Sequence, residues 1–246
     1  MKLQTIEVGV TRVEDAVAAE QAGAQRLELN SALILGGLTP SWGLIGEVIR
    51  AVKIPLMVMI RPRSGGFCYS PSEVDVMRRD VVAAVTAGAK GVVFGPLTSQ
   101  GEIDVAATER LVRAAGNAQS IFHRAFDLCT NSEESLEKLI SLGVRRVMTS
   151  GGATTAAEGA EKIAHLLNYA NNRIEILPAG GIRNQNVSQL ITATGCNQIH
   201  ASFRKFTRDL TAWPINSPPL GAPAADECEH ESIDAEEVKQ MNVLLT

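Results

Sequence analysis

One joint recurs along this chain: an amphipathic stretch, a glycine, then a short apolar run. It reads Ala22-Gly23-Ala24-Gln25-Arg26-Leu27-Glu28-Leu29, then Ala87-Gly88-Ala89-Lys90-Gly91-Val92-Val93-Phe94, then Leu142-Gly143-Val144-Arg145-Arg146-Val147-Met148, then Thr194-Gly195-Cys196-Asn197-Gln198-Ile199-His200. Glycine just past the last helical residue takes the left-handed conformation that stops a helix. The apolar run after it reads as a strand buried on both faces, as in parallel sheets. The glycines stand 65, 55 and 52 residues apart, about twice the roughly 30 residues of one β/α unit. Units between them are therefore predicted, and the sequence supplies them. Ile54–Ile60, Ser120–His123 and Arg173–Leu177 each follow a helical stretch, and Leu3–Val8 opens the chain.

Eight strands alternating with helices over 246 residues predict a single (β/α)8 barrel. The competing arrangement, a doubly wound open sheet, usually places a glycine-rich dinucleotide loop after its first strand. Here that place holds Val8-Gly9-Val10-Thr11. The barrel units run from about residue 3 to 205. From about 206 to 246 the chain reads as an extended segment and a closing helix. Pro214, Pro218, Pro219 and Pro223 crowd the extended part, and the helix runs from Asp234 to about Leu244, capped by Ser232 or Asp234.

Composition removes several classes. Twenty-three basic and 27 acidic residues leave a net charge of −4, which argues against a general electrostatic grip on nucleic acid or anionic lipid. No apolar run approaches the roughly 20 residues of a membrane span, and the first residues lack a signal-peptide core. Cys68, Cys129, Cys196 and Cys228 are scattered, and read as free thiols in a reducing cytoplasm. The expected partners are a small molecule or ion and, for assembly, other copies of this chain.

Chemistry in such a barrel sits at the C-terminal ends of the strands. The polar residues expected there are Glu7, Glu28 and Asn30, Arg61 and Arg63, His123, Arg124 and Asp127, Thr149 and Ser150, Gly180 and Gly181, and His200 and Ser202. Charge inside an apolar strand is costly unless paired, so a cluster converging on the mouth would satisfy these groups together. Carboxylates beside an imidazole suit acid–base work, and arginine forks suit carboxylate or phosphate. The candidate catalytic set is Glu7, Glu28, Arg61, His123, Arg124 and Asp127. Arg63, Thr149, Ser150, Gly180, Gly181, His200 and Ser202 are the candidate ligand-binding set.

Plainer readings stand beside these. Glu7 with Arg61, and Glu28 with Arg124, are ion pairs that merely fix the barrel. Asp127 caps a helical turn. The Gly180-Gly181 pair and Thr149-Ser150-Gly151-Gly152 are either tight turns and caps at helix starts or anion cradles. The loop from Arg61 to Ser70, carrying Phe67 and Tyr69, is either a lid or a packed connection. His165, mid-helix, is a surface histidine. No lysine stands at a strand end, which disfavours a Schiff-base aldolase. An enzyme acting on a small anion, phosphorylated or not (a lyase, isomerase or hydrolase), fits the polar cluster. A bare partner scaffold has no positive feature.

Several segments resemble the CutC copper-homeostasis family. They are Gly36-Gly37-Leu38-Thr39-Pro40-Ser41, Ile60-Arg61-Pro62-Arg63-Ser64-Gly65-Gly66-Phe67-Cys68-Tyr69-Ser70, Phe122-His123-Arg124-Ala125-Phe126-Asp127 and Arg146-Val147-Met148-Thr149-Ser150-Gly151. With weaker matches they span about residues 5 to 203. The resemblance implies a (β/α)8 barrel, a cytoplasmic home, a role in copper homeostasis and copper, as Cu(I), for a ligand. It implies no particular reaction. Family members often carry cysteine near the end of strand 1 and after the Glu-Leu of strand 2, where this chain has Gly9 and Asn30. Cys68 and Cys129 are the remaining thiol candidates for a metal.

Overall fold

A computed structural model describes residues 5–211 and 228–245. Eight parallel strands form a barrel: β1 Thr5–Val10, β2 Arg26–Leu29, β3 Leu56–Met59, β4 Gly91–Phe94, β5 Gln119–Phe122, β6 Arg146–Thr149, β7 Glu175–Pro178 and β8 Gln198–Ala201. Each pairs with its neighbour in sequence, and β8 pairs with β1. A parallel bridge from Ala179 to His200 brings β7 against β8 and closes the ring. Helices α1 Val13–Gln21, α2 Trp42–Ala51, α3 Pro71–Ala87, α4 Val105–Ala115, α5 Ser132–Ser141, α6 Ala160–Ala170, α7 Val187–Thr194 and α8 Ala235–Leu245 surround it. No helix among the described residues is long and apolar enough to cross a membrane. The single-domain barrel read from the joints is the fold.

Local chemistry sets the joints. Gly23, Gly88, Gly143 and Gly195 all have positive φ, +115° at Gly88, a conformation that costs a residue with Cβ more than glycine. Helix starts carry side-chain caps: Ser41 on α2, Ser70 on α3, Asp104 on α4 and Asn131 on α5. At α3, Ser70 and Glu73 exchange bonds in a capping box with Pro71 in the first turn. Of the two residues offered as the cap of α8, Asp234 serves, accepting from the amides of Glu236 and Glu237. Ser232 instead meets the Thr207 hydroxyl across a hairpin. That hairpin, β9 Arg204–Arg208 antiparallel to β10 Glu229–Ile233, stands where an extended segment was expected. The four clustered prolines, 214 to 223, lie outside the described residues.

Alternation along the strands sorts the core. Ile6, Val8 and Val10 of β1, Leu27 and Leu29 of β2, Val58 of β3, Val147 of β6, Ile176 of β7 and Ile199 of β8 pack outward in one apolar core with the helices. The barrel interior receives the intervening residues. Two small apolar groups fill part of it: Met57, Met59, Val93 and Ile121, and Met148, Leu177 and Ala179. The rest is polar and buried: Glu7, Arg26, Glu28, Arg146 and Gln198.

Candidate functional site

The polar interior is one network. Glu7, third residue of β1 rather than its end, pairs with the Arg26 guanidinium at the start of β2. Its other oxygen accepts from His200 Nδ1 at 2.9 Å. Burial alone would raise the Glu7 carboxyl, but Arg26 and His200 outweigh it and hold the pKa at about 2. Glu28 lies one layer higher. It accepts from Asn30 Nδ2 at 2.8 Å and stands 3.8 Å from His200 Nε2. Burial pushes Glu28 above the usual carboxylate range; His200 pulls it down and the Glu7 charge pushes it up again. His200 is held above the ordinary imidazole value: burial opposes its charge, but the two carboxylates prevail.

The ion pairs expected from sequence are therefore replaced. Glu7 does not meet Arg61, and Glu28 does not meet Arg124. Arg61 follows β3, is 5% exposed and has no carboxylate partner among the described residues. Its Nη1 donates to the carbonyls of Leu35 and Gly37, and its Nη2 donates to Gly65 O. The Phe67 ring lies 5.0 Å from its guanidinium carbon and 4.9 Å from the His123 ring. The loop from Arg61 to Ser70 thus packs an aromatic ring into the mouth. Arg63 stays within this loop, bonded to Glu73 and to the carbonyls of Ser64, Gly66 and Cys68.

His123 caps the short turn Arg124–Leu128 after β5: its Nδ1 accepts from Ala125 N at 3.0 Å. The ring proton therefore sits on Nε2. Burial, then the nearby Arg61 charge, lowers its pKa to about 3. The imidazole is neutral near pH 7. Asp127 does not cap its own turn. It reaches across to the β6 end, accepting from the Ser150 and Gly152 amides, both hydroxyls of Thr149 and Ser150, and Arg124 Nε at 2.9 Å. Arg124 Nη2 donates to Ser150 Oγ at 2.7 Å. Thr149 and Ser150 do not stand at a helix start, since α6 begins only at Ala160. Gly180 has φ +106°, and a Cβ there would stand 3.0 Å from Arg124 Nη1. At Gly181 the crowding comes from Thr155.

A cavity of about 500 Å³ opens at this end. Glu28, Arg61, His123, Arg124, Asp127, Gly180, Gly181, His200 and Ser202 all line it. Glu7 lies beneath it; Arg63, Thr149 and Ser150 support it from outside. Cys68 is exposed and Cys129 half-buried, lining a separate small cavity; neither borders the mouth. Arg26, which organises Glu7, was not anticipated from sequence. Its signal was the one that marked Glu7, a charge inside an apolar strand. Asn30, Met59 and Arg183 also border the mouth. Among the described residues, Glu7, Glu28 and His200 bring three ligand atoms within 4.8 Å of one another.

The CutC family model matches residues 4–205. A CutC protein of Treponema denticola is 47% identical over 205 residues, covering 83% of this chain and 83% of that protein. A mouse relative, described as a copper homeostasis protein cutC homolog, is 40% identical over 240 residues, covering 97% of this chain and 88% of its own. The crystal structure of a CutC protein from Streptococcus agalactiae superposes with a TM-score of 0.77 at 35% identity, covering 81% of this chain and 98% of that one. Fold, family model and relatives agree, and the chain belongs to the CutC family.

Proposed function

We propose that this chain is a barrel enzyme that binds a small anionic metabolite in its mouth and moves a proton on it. The supporting observation is a set of buried polar atoms that lack partners: Glu28 Oε1, Asn30 Oδ1, Arg61 Nε and His123 Nε2. All four belong to residues lining one cavity. An unsatisfied buried group costs about 1–3 kcal/mol, so a ligand offering acceptors and a hydroxyl would recover that cost. In this reading Arg61 and Arg124 take the anionic group. Glu28 and His200 form the acid–base pair, with Glu7 holding the imidazole by Nδ1. His123, neutral, donates from Nε2 to an oxygen on which charge develops. Asp127 positions Arg124. An isomerase, lyase or hydrolase would use such a set. The test is a proton NMR turnover screen over small sugar phosphates and hydroxy acids, with Glu28→Gln as control. Conversion by the wild type and not by the variant is expected. Conversion retained by Glu28→Gln removes the proton-transfer role. If no compound is converted and none raises the melting temperature, the enzyme reading falls.

Copper handling in the cytoplasm is the second reading, favoured by the description of the mouse relative. Cu(I) takes soft thiolate ligands, and here the fit is poor. A Cβ at Gly9 would stand 3.5 Å from His200 Nε2, and Asn30 touches Glu28. Of the two positions where the family resemblance puts cysteine, Asn30 borders the mouth and Gly9 lies beside His200, which lines it, and neither carries sulfur in this chain. Cys129 is half-buried, and burial pushes its thiol up, away from thiolate. Glu7, Glu28 and His200 offer oxygen and nitrogen, which suit harder ions. Anaerobic Cu(I) titration against a competing chelator separates the readings. Tight binding lost in Cys68→Ser/Cys129→Ser supports thiol-mediated copper handling; no binding excludes it.

A further inference from the structure

A second arginine-lined cavity lies at the opposite, N-terminal end of the strands. Its volume is about 380 Å³, and Arg26, Arg145, Arg146 and Arg173 border it, against roughly 30 Å³ for a water molecule. Arg26, Glu175 and Gln198 are the first residues of β2, β7 and β8, and Arg146 is the first of β6. Four guanidinium groups share three carboxylates. Arg26 pairs with Glu7, Arg173 with Glu137, and Arg145 and Arg146 divide Glu175 between them. Glu7 also serves His200. The lining thus carries more positive than negative charge.

Arg146 carries an unmatched donor. This residue is 3% exposed. Its Nε and Nη2 both reach Glu175 Oε2, at 2.7 and 2.6 Å, and Nη2 also donates to Gln119 Oε1 at 3.2 Å. Its Nη1 is buried with no partner. A buried guanidinium left with an unmatched donor is costly; burial and then the Arg26 charge weigh against the Arg146 cation, and Glu7 and Glu175 only partly offset them. Arg145 and Arg173, with side chains 62% and 42% exposed, stand around the same opening. Donors thus approach from the floor and from the rim. Planar guanidinium forks arranged this way match the several oxygens of a tetrahedral oxyanion better than a lone carboxylate.

We propose that this end of the barrel binds a phosphate-type oxyanion, held by Arg146 below and by Arg145 and Arg173 at the rim. The catalytic end of the fold is the other one, so this ligand stands apart from the reacting atoms. It acts on the folded chain as any native-state ligand does, by stabilising it in proportion to occupancy.

Isothermal titration with inorganic phosphate and pyrophosphate at low ionic strength tests this, with Arg124→Gln as the background to weaken anion binding at the mouth. Saturable binding of one anion per chain is expected, tighter for pyrophosphate. Adding Arg145→Gln and Arg173→Gln should weaken it at least about tenfold. Both side chains are half-exposed, so these variants should keep the fold, which circular dichroism checks. Arg146→Gln should abolish binding if it folds, but the rim variants suffice. Absence of saturable binding in the Arg124→Gln background overturns the proposal. So does binding that the rim substitutions leave unchanged.

Discussion

Acid should weaken this fold through His123, by an amount that follows from its burial. The imidazole is enclosed by Phe67 and Phe122 and stands near the Arg61 charge. Its pKa is lowered from 6.5 to about 3. In the unfolded chain the same ring protonates near 6.5. Between those values the unfolded state binds more protons, so stability falls as pH falls. At pH about 4.5 the unfolded ring is nearly all charged and the buried one nearly all neutral. The resulting penalty is about 2–3 kcal/mol relative to neutral pH. Glu7, with its folded value at about 2, has only begun to contribute there. Its larger loss, also toward acid, comes as pH falls from about 4.5 to 2. Urea denaturation at about pH 7 and pH 4.5, on the wild type and on His123→Asn, isolates the His123 part. Asparagine can still accept from the Ala125 amide, and its constant packing cost cancels in the pH difference. The wild type should lose about 2–3 kcal/mol more than the variant across this window. Equal losses, or an imidazole NMR signal from His123 titrating near 6.5 in the folded protein, would show that burial does not hold this ring neutral.

Two further outcomes follow from the mouth. Gly180→Ala should destabilise by about 1–3 kcal/mol, because φ +106° is a strained conformation for alanine. Its new Cβ would also press on Arg124 Nη1, so urea denaturation and phosphate binding at the mouth should both weaken; unchanged values in both would remove Gly180 from this role. Asp127→Asn should cost about 3 kcal/mol in the same denaturation assay, since one of the two oxygens receiving amide, hydroxyl and guanidinium donors becomes a donor itself. A loss below about 1 kcal/mol would show that Asp127 is not what joins the β5 and β6 ends.

Much of the fold was legible in the chain. The helix–glycine–strand joints marked four units, and their spacing demanded the others. Those signals are local: a left-handed glycine and an apolar run act within about ten residues. The hairpin β9–β10 was missed because both strands, Arg204–Arg208 and Glu229–Ile233, are mostly polar, and the first is exposed throughout. The residues of the mouth were legible as a set, since charge in an apolar strand is visible without a structure. Their pairing was not. Glu7 chooses Arg26 and His200 rather than Arg61, and the second of those partners lies 193 positions away.

Local pattern in the chain therefore called for eight β/α units closing a barrel, with polar side chains entering it. Tertiary structure alone decided which of them meet. Closure sets β8 beside β1 in a register that places His200 opposite Glu7, and alternation turns Arg26 and Glu28 into the same interior. Pairings across a closed sheet follow from strand register and barrel curvature, which no short-range pattern encodes. For the same reason the cationic end near Arg146 came into view only once β6, β7 and β8 lay side by side.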